Sequence, residues 1–327
     1  MTGEKIDVLL LGPKKATIFD QLKNVFNLHC MVDAASPDAL LASAGSRIRG
    51  IAISATTAKA DADLLAKLPR LEVVSTFGVG YDHVAYKWAA EHRIVVTNTP
   101  EVLNEEVADT ALGLLLCTVR ELCAADRLVR SGKWPERYYR LTPGTLRNAT
   151  VGLIGMGRIG QAIARRLDAF LVKVVYHSRN PQQGVAYQYY PDLIAMARDV
   201  DVLLAIVPGG PSTKNLINRA VLDALGPEGF FINMARGTVV DEPELVKALQ
   251  EKRIMGAGLD VYWDEPNAPK ELFGLDNVVL LPHVGSASVA TRQAMEQLVV
   301  DNILAWAGGK PLLTPVPETP WPPQKRT

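Results

Sequence analysis

The sequence predicts an α/β protein in which two parallel sheets are each covered by helices. Short aliphatic runs alternate with longer stretches of helical pattern, and this alternation occurs twice along the chain. The chain has 327 residues, of which 48% are hydrophobic and 21% are charged, so it can bury one or two substantial cores. It is too long for one small domain, and we therefore expect two domains.

The predicted strands form two series, one in each part of the chain. Their runs of Val, Ile and Leu are typical of strands that helices cover on both faces. The first series comprises residues 6–12, 50–54, 71–78 and 94–100. The second series comprises residues 149–155, 172–178, 201–207, 229–235, 256–262 and 278–284.

A long helix is expected between the two series, over residues 101–130. This segment has acidic residues early, a long apolar middle and arginines late, which is the charge order that a helix dipole favours. We interpret it as one helix that links the two domains. The final segment, residues 311–327, is too rich in proline for a helix or an inner strand, and we expect an extended tail.

The charge balance indicates a small-molecule partner, with no nucleic acid and no membrane. Lysines plus arginines equal aspartates plus glutamates at 35 each. Residues 1–15 do not have the pattern of a signal peptide, and no apolar run approaches the roughly 20 residues that span a bilayer. Because Cys30, Cys117 and Cys123 share no metal-ligand spacing, we expect buried free thiols, no metal site and a cytoplasmic protein.

A glycine-rich turn follows the first predicted strand of the second series. Gly155, Gly157 and Gly160 form the pattern G-x-G-x-x-G, and residues 161–170 after it read as a helix. In such a motif the first glycine permits a tight turn, the second lets a pyrophosphate approach the backbone, and the third lets helix and strand pack closely. Its place between a strand and a helix predicts dinucleotide binding.

The end of the next predicted strand indicates which dinucleotide binds. NAD sites of this kind carry an acid about 20 residues after the motif, which accepts hydrogen bonds from the ribose 2′-hydroxyl. Here Arg179 stands 24 positions after Gly155 (179 minus 155), between Ser178 and Asn180, and no acid occurs between Arg179 and Asp192. Because a guanidinium suits a 2′-phosphate and cannot accept from a hydroxyl, the sequence favours NADP(H) over NAD(H).

Three residues that could carry chemistry follow later strands of the same series: Arg236, Glu265 and His283. Each alone has a structural alternative, as a sheet-edge arginine, a loop carboxylate or a core histidine. Together they suit the reduction of a 2-oxo acid, which needs a cation for the carboxylate and carbonyl and a proton donor near neutral pKa. A neighbouring carboxylate favours the charged form of a histidine and orients it.

These segments, together with FGVGYDHV at 77–84 and the glycine motif, resemble the D-2-hydroxyacid dehydrogenase family, and within it the glyoxylate/hydroxypyruvate reductase branch. The resemblance extends from about Ile6 to Val316. It implies two Rossmann-like domains with parallel sheets, the coenzyme domain being inserted in the substrate-binding domain. Residues 1–100 and 289–327 would form the substrate-binding domain, and residues 101–288 the NADP-binding domain. It also implies a homodimer formed largely through the coenzyme domains.

The resemblance assigns roles to individual residues. Arg236 would bind the substrate carboxylate and carbonyl, His283 would protonate the carbonyl oxygen, and Glu265 would hold His283. The backbone of Val79 and Gly80 would cradle the carboxylate. The implied cofactor contacts lie on several loops of the coenzyme domain: Val107, Gly155, Gly157, Arg158, Ile159, Gly160, Ser178, Arg179, Asn180, Val207, Pro208, Thr213, Met234, Ala235, Arg236, Asp260, His283 and Gly285. In residues 205–213 this chain has Gly209 and Gly210 where relatives usually carry bulkier residues.

The substrate is expected to be a small 2-oxo acid. Ser54 and Ala55 are small and leave room near the third carbon of the substrate, which suits glyoxylate and hydroxypyruvate. Trp134 resembles the aromatic residue that reaches across the dimer to the neighbouring site, and it could equally be an ordinary interface or core tryptophan. Tyr138 and Tyr139 leave open a larger 2-oxo acid, such as an aryl pyruvate or 2-ketogluconate.

The resulting hypothesis is an NADPH-dependent reductase that converts glyoxylate or hydroxypyruvate to the D-2-hydroxy acid by hydride transfer, with His283 as proton donor. A reductase of larger 2-oxo acids is the first alternative. A dinucleotide-sensing, corepressor-like interaction protein is the second, because the family also includes transcriptional corepressors.

Overall fold

A computed structural model describes residues 5–323. The start of the amino-terminal segment, residues 1–4, and the end of the expected tail, residues 324–327, lie outside the described residues. Internal contacts divide the chain into two compact units, which we call unit 1 (Met1–Leu103 with Ser288–Thr327) and unit 2 (Asn104–Ala287).

Strands and helices alternate in both units, as the α/β prediction requires. The strands are β1 (Asp7–Leu11), β2 (Asn27–Cys30), β3 (Ile48–Ile53), β4 (Val73–Thr76), β5 (Val95–Thr97), β6 (Thr150–Ile154), β7 (Lys173–His177), β8 (Gln188–Tyr190), β9 (Val202–Ala205), β10 (Phe230–Asn233), β11 (Gly256–Leu259) and β12 (Val278–Leu280). The helices are α1 (Ala16–Val25), α2 (Pro37–Ala44), α3 (Ala62–Ala66), α4 (Tyr86–Glu91), α5 (Asn104–Val119), α6 (Leu122–Arg130), α7 (Arg158–Ala169), α8 (Leu193–Arg198), α9 (Arg219–Leu225), α10 (Glu242–Gln250) and α11 (Val289–Ala307).

Unit 1 contains a five-stranded sheet in the order β2-β1-β3-β4-β5, with every pair parallel. Leu9, Ile51 and Val74 on its strands are fully buried in one hydrophobic cluster. The strand order reverses between β1 and β3, so the loops after these two strands diverge at the carboxyl edge. In an open parallel sheet this is the position where a ligand binds.

Unit 2 contains a seven-stranded sheet in the order β12-β11-β10-β9-β6-β7-β8, again with every pair parallel. Its order reverses between β6 and β9, and the glycine-rich turn follows β6 at that point. The prediction of two parallel sheets in an α/β protein is therefore confirmed. Two strands that the sequence analysis did not identify, β2 and β8, lie at sheet edges.

The prediction of one helix over residues 101–130 is wrong. The segment forms α5 and α6, and the chain turns at Glu121, whose φ of 52° lies in the left-handed region and ends a right-handed helix. The buried carboxylate of Glu121 accepts hydrogen bonds from Tyr139 Oη at 2.9 Å and from Arg140 at 2.7 Å. These tertiary contacts stabilise the break, and local helix propensity does not reveal them.

The described part of the expected tail, residues 311–323, forms neither helix nor strand. It is nevertheless attached to the sheet of unit 1, because Val316 N–H donates to the Val96 carbonyl and Thr319 Oγ1 accepts from Val96 N–H. All three cysteines are free thiols, but only Cys30 is buried, since Cys117 and Cys123 lie half-exposed on α5 and α6. Within residues 5–323, no helix has both the length and the apolar character needed to cross a membrane.

Candidate active site

His283 and Glu265 form a hydrogen-bonded pair beyond the carboxyl ends of β12 and β11. His283 Nδ1 lies 2.6 Å from Glu265 Oε2, and Glu265 Oε1 accepts from the Tyr262 N–H at 3.2 Å. Because an ionised carboxylate only accepts hydrogen bonds, Nδ1 carries the proton in this pair. The other ring nitrogen, Nε2, is therefore the one that can exchange a proton with a ligand.

The environment keeps Glu265 ionised. Burial alone would raise the pKa of its carboxyl, but the hydrogen bond and charge of His283 outweigh burial, so the pKa lies below its ordinary value. The Tyr262 N–H and the charge of Arg236 act in the same direction. A carboxylate that stays charged next to the imidazole fixes the orientation of the ring.

The backbone at His283 is held in an uncommon conformation. His283 has a φ of 54°, in the left-handed region. The buried Asp260, which follows β11, accepts from Val284 N–H at 2.7 Å with Oδ1 and from Gly285 N–H at 2.9 Å with Oδ2. Burial raises the pKa of Asp260, although these two hydrogen bonds oppose that shift. Both carboxylate oxygens thus anchor the turn that presents His283.

Arg236 follows β10 and is joined to the Glu265 loop through its neighbour Gly237. The Asn233 side chain donates to the Arg236 carbonyl at 3.2 Å and accepts from Ala235 N–H at 3.0 Å, which fixes the turn after the strand. A Cβ at Gly237 would lie 1.9 Å from the carbonyl carbon of Tyr262, so only glycine allows this close approach. The half-buried Arg236 is thereby placed beside Glu265.

Other residues of the expected cofactor set surround Gly285. An ideal Cβ on Gly285 would lie 3.1 Å from Asp260 Oδ2, 3.2 Å from Met234 Cε and 3.7 Å from Val107 Cγ2. Thr110 on α5 also donates to the Gly285 carbonyl at 3.0 Å. The chain therefore brings residues 107, 234, 260 and 285 together beside the His283 turn, although they are distant in sequence.

The glycine-rich turn has the geometry of a phosphate cradle. Gly155 has a φ of 107°, and a Cβ at Gly160 would lie 2.3 Å from the Gly155 carbonyl oxygen, so the helix packs directly on the turn. At Gly157 an added Cβ would meet no atom within 4 Å. Space is therefore open at the amino-terminal end of α7, where helix N–H groups attract an anion. Arg158 and Ile159 form the first turn of that helix.

The residues expected at the adenosine end follow β7, the neighbour of β6. Ser178 Oγ donates to the Asn180 carbonyl at 2.7 Å, which closes a tight turn around Arg179. Arg179 is exposed, and among the residues that the structure describes no carboxylate forms an ion pair with it. Its guanidinium is thus available to an anionic ligand.

The loop after β9 reaches the glycine-rich turn through Val207. A Cβ at Gly155 would lie 3.0 Å from Val207 Cγ1. Thr213 Oγ1 donates to the Pro208 carbonyl at 2.7 Å, so the two residues brace the loop that contains Gly209 and Gly210. This internal hydrogen bond occupies the Thr213 hydroxyl proton.

The expected substrate residues Ser54, Ala55, Val79 and Gly80 belong to unit 1. Ser54 is fully buried, and its hydroxyl lies 3.0 Å from the Leu11 carbonyl oxygen and 2.7 Å from that of Pro13. The half-buried Val79 accepts from the Asn98 side chain at 2.8 Å through its carbonyl. Within the described part of the chain, the N–H groups of Val79 and Gly80 donate to no other backbone carbonyl. Their hydrogens are thus available to a carboxylate.

Trp134 is exposed to solvent. It begins a 3₁₀ turn, Trp134–Glu136, and its side chain is 56% exposed. Gly237 was not singled out from the sequence, although it directly follows Arg236 in NMARGTVVDE; a glycine next to a candidate arginine could have indicated the close backbone approach.

Comparison with known proteins identifies relatives over nearly the whole chain. Residues 112–285 match the family model of the D-isomer specific 2-hydroxyacid dehydrogenase NAD binding domain. A glyoxylate/hydroxypyruvate reductase A from Arabidopsis thaliana is 47% identical over 96% of this chain and 99% of that protein. A hydroxyphenylpyruvate reductase from Plectranthus scutellarioides is 45% identical over the same shares of the two chains.

A solved structure also matches. The NADPH-dependent glyoxylate/hydroxypyruvate reductase from Sinorhizobium meliloti, in complex with NADP and malonate, superposes with a TM-score of 0.92 at 48% identity. The match covers 99% of this chain and 100% of that chain.

Proposed function

Since the chain belongs to the D-isomer specific 2-hydroxyacid dehydrogenases, we propose that it is an NADPH-dependent reductase of small 2-oxo acids, with glyoxylate and hydroxypyruvate as substrates. The observation that carries the proposal is the His283–Glu265 pair in the same unit as the glycine-rich turn. A proton donor and a dinucleotide cradle are the two components that reduction of a carbonyl requires.

The residues of unit 2 fit a bound dinucleotide. The open space at Gly157 admits a pyrophosphate against the backbone, and the exposed Arg179 suits a 2′-phosphate. When bound, NADPH supplies the hydride that is added to C2 of the 2-oxo acid. The Sinorhizobium meliloti relative is described as NADPH-dependent, which supports the same preference here.

The chain's own residues then handle the substrate charge and the proton. In unit 2, Arg236 binds the substrate carboxylate and polarises the carbonyl. In unit 1, the N–H groups of Val79 and Gly80 are donors for a carboxylate. His283 donates the proton from Nε2 to the carbonyl oxygen as the hydride adds to C2. Glu265 stays ionised and holds Nδ1, so the ring keeps its orientation before and after the transfer.

Larger 2-oxo acids are the second candidate substrates. The hydroxyphenylpyruvate reductase relative is only slightly less similar than the glyoxylate/hydroxypyruvate reductase, at 45% against 47% identity. Aryl pyruvates therefore belong in any substrate panel beside the small 2-oxo acids, and 2-ketogluconate belongs there as a second larger 2-oxo acid.

A homodimer is part of the proposal. Unit 2 has exposed apolar side chains on α6 and on the segment after it: Leu122, Val129, Trp134, Tyr138 and Leu141. Such a patch is typical of a protein–protein interface. We expect Val129→Glu to convert a dimer to a monomer in analytical ultracentrifugation, and a monomeric wild type would contradict the assignment. The free thiols of Cys30, Cys117 and Cys123 favour a reducing compartment, and we assign the protein to the cytoplasm.

Initial rates test the proposal directly. The rate of NADPH oxidation should be measured with glyoxylate, hydroxypyruvate, phenylpyruvate and 2-ketogluconate, and each measurement should be repeated with NADH. We expect the highest kcat/KM with NADPH and one of the two small acids. A higher kcat/KM for phenylpyruvate would favour the second candidate, and binding of NADPH without turnover of any acid would contradict a reductase.

A further inference from the structure

Unit 1 contains a cluster of charged residues that the proposed reaction does not use. It lies where the strand order of the first sheet reverses, between β1 and β3. The loops after β1, β3 and β4 begin at this edge of the sheet, and the loop after β4 contains Val79 and Gly80. In open parallel sheets a ligand binds at this edge, outside the carboxyl ends of the strands.

Lys15 is the centre of this cluster. It precedes α1, and its Nζ lies over the buried ring of Phe77, 3.3 Å from the ring centroid. Ser54 Oγ bonds to the carbonyls of Leu11 and Pro13, so the loop that carries Lys15 is fixed to the end of β3. The lysine side chain keeps 22% of its surface exposed.

The charges around Lys15 leave its ammonium only weakly neutralised. The nearest carboxylate is Glu296 on α11, at 3.8 Å, which is too long for a good hydrogen bond. Arg292, one turn earlier on α11, lies 5.3 Å from the same Phe77 ring. Burial and the charge of Arg292 lower the pKa of Lys15 to about 8, although Glu296 opposes them. A bound anion would favour the charged form of Lys15 and so offset the effects of burial and of Arg292 on its pKa.

The adjacent lysine gives a matched contrast. Lys14 is one residue earlier and forms an ion pair with Asp33. The hydrogen bond to Asp33 raises the pKa of Lys14 above its ordinary value. Lys14 thus has a dedicated carboxylate, whereas Lys15 is directed onto the aromatic ring that precedes the Gly78–Gly80 backbone.

We propose that Lys15 binds a second carboxylate on the substrate, so that the enzyme also reduces 2-oxo dicarboxylic acids and prefers them to monocarboxylic acids of similar size. The proposal rests on the proposed function: in unit 1 the Val79–Gly80 backbone binds the C1 carboxylate, and Lys15 of the same unit binds the carboxylate at the far end. The hydride of NADPH forms the new C–H bond at C2, the C=O π bond breaks, and His283 protonates the oxygen. The products are NADP⁺ and a 2-hydroxy dicarboxylate.

Pyruvate and oxaloacetate provide the test, because they differ by one carboxylate at C3. The kcat/KM of each should be measured with NADPH for the wild type, Lys15→Met, Lys15→Arg and the control Lys14→Met. We expect the wild type to favour oxaloacetate, and Lys15→Met to lower the oxaloacetate-to-pyruvate ratio about 10-fold or more, the size of a lost charged hydrogen bond. Lys15→Arg should restore part of the ratio, and Lys14→Met should leave it at the wild-type value.

Three outcomes would overturn the inference. They are a wild type without preference for oxaloacetate, an unchanged ratio in Lys15→Met, and equal losses on both acids, which would indicate a purely structural lysine. The wild-type preference needs no variant, so it decides the matter even where Lys15→Met does not fold. Glyoxylate separates the two proposals: wild-type turnover of glyoxylate without a Lys15 effect refutes only the inference, whereas no turnover of any 2-oxo acid refutes the proposed function.

Discussion

The loop after the first strand occupies the same topological position in both units, but the two loops leave different amounts of space for a ligand. In unit 2, β6 leads through Gly155 and Gly157 into α7, and an added Cβ at Gly157 would meet nothing within 4 Å. In unit 1, β1 leads through Gly12 and Pro13 into α1, and an added Cβ at Gly12 would lie 2.7 Å from Ser54 Oγ. The loop in unit 2 therefore leaves room for a phosphate at Gly157, whereas in unit 1 the Ser54 side chain fills the space beside Gly12.

We infer from this difference that side chains at the switch point, rather than topology, decide what each sheet binds. A glycine-rich turn exposes helix N–H groups to a phosphate. The loop in unit 1 instead contains Lys15, whose single charge at the end of a long side chain suits a compact anion such as a carboxylate. Four variants test which residues serve the chemistry, the cofactor and the fold, and the first has the largest expected effect.

Removing the proton donor should affect chemistry and leave cofactor binding intact. We expect His283→Ala to lower kcat for glyoxylate by about 100-fold to 10,000-fold, the usual contribution of a general acid. The Kd of NADPH, measured by fluorescence titration, should change little. His92→Ala in unit 1, where His92 stacks on Trp88, is the control and should keep wild-type kcat. Retained turnover in His283→Ala would remove this residue from its assigned role.

A methyl group in the phosphate cradle should weaken cofactor binding without unfolding the protein. Gly157→Ala places its Cβ in open space in the free enzyme but in the path of the pyrophosphate. We expect the Kd of NADPH to rise about 10-fold or more through lost charged hydrogen bonds, with Tm unchanged. Gly113→Ala on α5, also with an unobstructed Cβ, should leave Kd unchanged. Equal Kd values for both variants would argue against a phosphate at Gly157.

Reversing the charge after β7 should change the cofactor preference. We expect Arg179→Asp to reduce the ratio of kcat/KM with NADPH to that with NADH at least about 10-fold, since an arginine–phosphate contact is a charge-assisted hydrogen bond. Because Arg179 is exposed, we expect Arg179→Asp to keep the wild-type Tm. A parallel loss with both cofactors would show that Arg179 does not read the 2′-phosphate.

The smallest effect concerns stability at acid pH. The pKa of Glu265 is lowered in the folded protein, so its ionisation stabilises the fold above the ordinary carboxyl pKa of 4.5, and this contribution is lost as the pH falls through the lowered value. We therefore expect the difference in unfolding free energy between wild type and Glu265→Gln to shrink as the pH falls below about 4.5. Urea unfolding of both proteins at several pH values measures this difference in unfolding free energy. If the difference grows toward acid pH, the assignment of a lowered pKa to Glu265 is contradicted.

Strands made of apolar residues could be predicted from the sequence, whereas two edge strands with polar residues could not. The runs that form β6 and β10 are continuous and apolar, because both faces of these strands are buried. In contrast, β2 (NLHC) and β8 (QYY) each pair on one side only, so solvent tolerates polar residues there and the pattern disappears. The break at Glu121 depends on Tyr139 and Arg140, which no local pattern connects to it.

In the candidate site, too, some features could be predicted from local sequence and others depend on tertiary contacts. Gly155 and Gly160 could be identified from their spacing, because a close helix–strand approach requires glycine at fixed positions. The different environments of Lys14 and Lys15 could not be predicted, because two adjacent lysines look alike in sequence. They differ only in what they contact, which is Asp33 for Lys14 and the Phe77 ring for Lys15. Gly237 is an intermediate case, because its requirement for glycine comes from Tyr262, which lies 25 residues further along the chain (262 minus 237).

The most direct test of the account is the reduction of hydroxypyruvate with NADPH that carries deuterium at the transferable position. The glycerate product should be analysed by mass spectrometry and chiral chromatography. The account predicts one deuterium at C2, because the hydride adds to that carbon, and the D configuration, because the chain belongs to the D-isomer specific 2-hydroxyacid dehydrogenases. A product without deuterium, or of the L configuration, would contradict it.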